Sequence, residues 1–153
     1  MKSSNLLFLA SWVILLVVSA AIVLLSAQSL RIAYTGKADS LTREYTLTQI
    51  GEQGGDEAVK AFRGRRATAA TWALAFGLLA IFVTLGPYRR GERWVWWALL
   101  VSLGLSQFLS ILRVIALATT VGGGAPGILL AFVFLALLAG VPRMFQRSSI
   151  TNL

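Results

Sequence analysis

Gly86-Pro87-Tyr88-Arg89-Arg90-Gly91-Glu92-Arg93-Trp94-Val95-Trp96-Trp97 decides how the rest of the chain is read. One apolar run ends at Gly86 and another begins after Trp94. Between them stand Arg89, Arg90, Arg93 and Glu92, with the helix-breaking residues Pro87 and Gly91. Arginine is drawn to anionic lipid head groups, and Trp and Tyr settle at the membrane–water boundary. The stretch therefore predicts a tight hairpin between two membrane helices, held at head-group level by Arg89, Arg90, Arg93, Trp94, Trp96 and Trp97.

Composition points the same way. Of 153 residues, 57% are hydrophobic and 13% are charged, against roughly a quarter charged in soluble domains. The apolar residues gather into long runs, which is the pattern of a polytopic membrane protein. The formal charge is +8, but the bases lie in loops beside apolar runs, where anionic lipid is a nearer partner than nucleic acid. No nucleic-acid-binding module is visible. There is no Cys and no His. Disulfides, thiol redox chemistry, Cys/His zinc sites and His-ligated haem thus have no ligands in this chain. Six carboxylates are present, all outside the apolar runs. A proton-coupled pump normally uses a buried carboxylate or histidine, and neither is available. No metal site, cofactor or catalytic residue is expected.

The expected fold is all-α, an integral membrane four-helix domain over 1–153 with a polar loop of about 40 residues between its first two helices. Helix one is read over about 6–27. A cleaved signal core is shorter, about 7–15 residues, and Leu25-Ser26-Ala27 is a poor cleavage site, so this run is read as a retained anchor. The polar loop covers 28–66. Its Leu41–Ile50 portion alternates partially and suggests a strand or extended arm. Gly51, Gly54 and Gly55 should break the chain, with a helix restarting at Asp56-Glu57. Helix two is read over about 67–86, with Ala69, Ala73 and Gly77 spaced by four as a packing seam.

Helix three, about 94–118, carries the most polar face. Ser102, Ser106 and Ser110 recur every four residues, Arg113 follows on the same side, and Gln107 lies beside them. At 1.5 Å per residue Arg113 is about 28 Å from Trp94, near the far membrane edge. Two readings of this face stand. Either Arg113 snorkels to head groups while the serines bond their own backbone, or the five residues form the polar wall of a ligand cavity. A charge-free turn, Thr119–Ala125, leads to helix four, about 127–141, which opens beside Pro126 and ends at Pro142. Ala136 and Gly140 offer a second close contact.

Four spans place both termini on one side. The compact Arg89–Arg93 turn favours the cytoplasm for that side, with Arg63, Arg65 and Arg66 weighing against it. The layout, with Tyr88–Trp94 followed by Trp96 and Trp97, resembles a set of small bacterial four-helix integral membrane proteins with a YRRGERW-type turn. The resemblance implies a bacterial inner-membrane protein and carries no chemistry with it. Sterol-isomerase-like and sigma-2-receptor-like four-helix proteins share the helix count, but they rely on intramembrane acids and histidine. Quinone-reducing thiol enzymes need paired cysteines.

The functional expectation is a non-catalytic accessory or structural subunit of a larger membrane complex, with lipids and other membrane subunits, or a second copy, as partners. The alternative is a binder or carrier of a lipid, quinone or pigment, using Ser102, Ser106, Gln107, Ser110 and Arg113.

Overall fold

A computed structural model describes residues 2–36, 47–116 and 124–145. Every element among them is helical: α1 (Lys2–Thr35), α2 (Leu47–Val83), a π turn (Thr84–Tyr88), α3 (Arg93–Leu99), a second π turn (Leu100–Gly104), α4 (Leu105–Ala116) and α5 (Gly124–Phe145). Four helical stretches are long and apolar enough to cross a membrane: Asn5–Thr35, Ile50–Tyr88, Arg93–Arg113 and Gly127–Phe145. The third joins α3, the π turn and α4. Its 21 residues rise about 31 Å, matching a hydrocarbon core of about 30 Å.

The polar segment between the first two spans differs from its expectation. α1 continues to Thr35, and α2 begins at Leu47. Most of 28–66 is thus helix rather than loop, and residues 47–50 are helical rather than extended. The rest of the expected strand, 41–46, lies outside the described residues, as do 119–123 of the charge-free turn and the tail from 146. The expected glycine break occurs at Gly55, whose φ of 69° and ψ of −175° interrupt α2. Asp56 and Glu57 follow that kink, where acidic groups meet the exposed N–H groups of a restarting helix.

By internal contacts the chain forms two compact units, Met1–Ala20 with Leu79–Leu153, and Ala21–Leu78. The first has a close-packed apolar core of Phe8, Leu15, Val95, Leu99, Leu103, Val133, Ala136 and Leu137. Within it lies a buried polar knot. Ser11 Oγ and Tyr88 OH share a hydrogen bond, and Phe8 stacks on the Tyr88 ring with centroids 5.5 Å apart. Gly140 makes room for the pair. A Cβ there would collide with Tyr88 OH and lie 3.0 Å from Ser11 Oγ. Ala136 and Gly140 are both buried, as their spacing suggested.

The second unit is a helix pair. Gly77 is its close-approach point, since a Cβ there would sit 2.9 Å from Val23 Cγ2 and 3.1 Å from Ile22 Cγ2. Of the expected seam, Gly77 is buried, Ala73 is half-buried and Ala69 is exposed; Ala70 is the buried alanine of that turn. The α1 terminus in this unit is capped twice. Gly36, at φ +68°, donates its N–H to Ile32 O at 2.9 Å, the single-bond left-handed cap. Arg63 then donates from Nε to Ala33 O at 2.7 Å and from Nη2 to Tyr34 O at 2.5 Å. Those carbonyls have no partner within the helix, and the cation meets the negative end of the helix dipole. Arg66 Nε donates to Ser29 Oγ at 3.1 Å, one helical turn away.

Candidate functional site

The hairpin at Tyr88–Trp97 is built by two backbone devices. Pro87 cannot donate an N–H and its ring crowds the preceding turn, so the helix widens into the π turn Thr84–Tyr88. Trp12 Nε1 supplies an outside donor there, to Thr84 O at 3.0 Å. The chain then closes in a Schellman motif. Gly91, at φ +80°, donates to Tyr88 O at 2.9 Å, and Glu92 donates its backbone N–H to Pro87 O at 3.2 Å. Glu92 is the extended residue before α3, and its Oε2 accepts from Trp94 Nε1 at 2.7 Å. One glycine and one extended residue therefore reverse the chain.

That geometry directs the arginines of the turn in different directions. Arg93 Nε donates to Met144 O at 3.1 Å, and its guanidinium lies 5.9 Å from the Phe145 ring centre. Trp96 Nε1 donates to Leu137 O at 2.9 Å, and its ring meets Trp97 and Phe145 edge-on. The two accepting carbonyls flank Pro142 in α5. Arg93 and Trp96, read from sequence as membrane anchors, thus also tie α3 to α5. Arg90, Trp94 and Trp97 are exposed.

Arg89 turns the other way, lying 5.5 Å from the Trp12 ring centre. Arg143 lies 4.1 Å from the Phe8 ring centre. With Asn5 and Leu9 these four residues line a cavity of about 380 Å³. Sequence reading singled out Arg89 but missed the cavity, because its wall is drawn from residues 5–12 and from Arg143. Pro142 reads from sequence as the end of the fourth helix, but it lies inside α5, which runs on to Phe145, so Arg143 stays on that helix and lines the cavity.

The hydroxyls of the serine row bond to backbone carbonyls of the preceding turn. Ser102 Oγ donates to Ala98 O at 2.6 Å, Ser106 Oγ to Leu103 O at 2.9 Å, and Ser110 Oγ to Ser106 O at 2.8 Å. Gln107 Nε2 is 3.5 Å from Ser106 Oγ, and Arg113 is exposed near the end of α4. Of the two readings weighed for this face, local backbone bonding is the one these distances describe. The serine hydroxyl protons are committed within the helix. Among the described residues, no three His, Cys, Asp or Glu side chains come together as metal ligands do. No protein family, curated protein or solved structure matches the chain.

Proposed function

We propose that the chain is an integral membrane protein whose four spans cross the bilayer, and that it serves as a non-catalytic accessory subunit of a larger membrane assembly. The carrying observation is the distribution of side chains in the spans. Only 22% to 28% of each span's most apolar window is buried. Outward positions hold Leu6, Leu9, Val17, Leu24, Leu79, Phe82, Leu105, Leu135 and Leu138, while Ser11, Ser19, Ser26 and Thr84 are buried. Water would penalise that arrangement by about 25 cal/mol for each Å² of exposed apolar surface; hydrocarbon does not.

The accessory reading draws on α2. Gly64, Thr68, Thr71 and Ala75 lie exposed at spacings of four, three and four. Thr68 and Thr71 return their hydroxyls to Gly64 O and Ala67 O at 3.1 and 2.9 Å, leaving a row of small residues bordered by the exposed Trp72. Such rows let a second helix approach closely in lipid. The local bonding of Ser102, Ser106 and Ser110 supports this reading over a lipophile carrier built on that row. The reading extends to a bacterial inner membrane, supported by the resemblance of the turn, and to cytoplasmic termini, supported by the density of arginines at Arg89–Arg93. Native mass spectrometry of tagged protein extracted gently from its host tests the assembly. Stoichiometric membrane partners, released by Ala75→Leu, are expected; a clean monomer contradicts the subunit role.

A further inference from the structure

We infer that the cavity between Asn5, Phe8, Leu9, Trp12, Arg89 and Arg143 is a binding site for a phosphate anion. Two guanidinium groups from segments more than fifty residues apart line one cavity. Among the described residues no acidic side chain lines it and no carboxylate pairs with either arginine; both guanidinium groups lie over aromatic rings, Arg89 over Trp12 and Arg143 over Phe8. Both arginines are exposed, so water screens them in the free protein, and an anion seated between them would take the place of that water. A cation–π contact uses none of the N–H donors, which remain for a phosphate oxygen pair. Asn5 adds an amide donor at the rim, while Leu9, Phe8 and Trp12 supply apolar wall. The volume lies within the range of small-molecule sites, about 300–1,000 Å³.

A phosphate can arrive on a lipid head group or as a free anion. The lipid source rests on the membrane reading above, which alkaline carbonate extraction of host membranes tests by itself. The site is tested with the full-length protein in neutral detergent by native mass spectrometry. It is titrated separately with short-chain phosphatidylglycerol, short-chain phosphatidylcholine and inorganic phosphate. One saturable anion is expected. Arg89→Gln and Arg143→Gln should each weaken it about tenfold, the scale of a charge-assisted hydrogen-bond pair. Arg65→Gln, an exposed arginine elsewhere, should leave it unchanged. Preference for phosphatidylglycerol over inorganic phosphate assigns a lipid source, and the reverse assigns a soluble one. Asn5→Asp leaves both arginines in place and puts a negative charge on the rim, so it reports even if the arginine variants fail to fold; it should also weaken binding about tenfold. No saturable binding of either anion, or binding indifferent to Asn5→Asp and to both arginine variants, overturns the inference.

Discussion

Gly140→Ala is a one-carbon change with a large expected effect. The new methyl would meet Tyr88 OH within contact distance and Ser11 Oγ at 3.0 Å, with Tyr88 Cζ at 3.4 Å. Tyr88, Ser11 and Gly140 are all buried, and the neighbouring Phe8 ring limits retreat of the tyrosine. Overpacking costs about 1–3 kcal/mol, and loss of the Ser11–Tyr88 hydrogen bond adds about 1 kcal/mol. Alanine's better helix propensity returns up to about 1 kcal/mol. The net destabilisation expected is about 1–3 kcal/mol. Tyr88→Phe alone should cost about 1 kcal/mol, since Ser11 can turn its hydroxyl to its own helix. In the double variant the tyrosine oxygen is gone, the nearest ring carbon is at 3.4 Å, and Ser11 Oγ, released from its partner, can turn away from its 3.0 Å contact. The two changes should therefore be less than additive by about 1–2 kcal/mol. Reversible unfolding by SDS in mixed micelles, followed by far-UV circular dichroism, measures all three variants. Gly140→Ala within about 0.5 kcal/mol of the parent, or strict additivity with Tyr88→Phe, would refute the packing argument.

Other positions make separate predictions. Gly77→Leu should separate the α1–α2 pair of the second unit and cost about 3 kcal/mol or more, because its Cβ alone reaches 2.9 Å from Val23; a thermal melt in detergent checks this. Arg63→Ala removes both donors to Ala33 O and Tyr34 O. Hydrogen exchange should then show the last turn of α1 opening at least about fivefold more readily, while protection near Leu15 stays unchanged. Replacing Ser102, Ser106 and Ser110 together by alanine should shift stability by less than about 1 kcal/mol, since each hydroxyl serves only its own helix; collapse of the fold would show a tertiary role.

The hairpin was legible because its determinants are local. Pro87 and Gly91 act within one turn, and the neighbouring arginines and tryptophans mark the polar boundary by type alone. The four long apolar runs were legible for the same reason. The helical polar segment was not. Its Thr/Leu alternation suggested a strand, whereas α2 extends from Leu47 across the kink at Gly55. Arg63 looked like a topology signal, and its bonds to α1 carbonyls some thirty residues away are tertiary facts. The serine row, read by its spacing, carried two possible chemistries. Spacing cannot distinguish a hydroxyl aimed at a ligand from one returned to the preceding turn. The Ser11–Tyr88–Gly140 knot and the Arg89–Arg143 cavity join residues far apart in sequence, with no local pattern to announce them.

In the proposed topology the chain crosses a bilayer with the Arg89–Arg93 hairpin on the side opposite the polar start of α2. Because the chain has no cysteine, a single introduced thiol reports its own side. Glu52→Cys and Arg90→Cys, both at exposed positions, are treated in intact host cells with a membrane-impermeant maleimide. The account predicts labelling of Glu52→Cys from outside and of Arg90→Cys only after permeabilisation. The reversed pattern would keep the crossing and invert the orientation. Labelling of both thiols from outside, or protection of both until permeabilisation, would contradict the crossing itself.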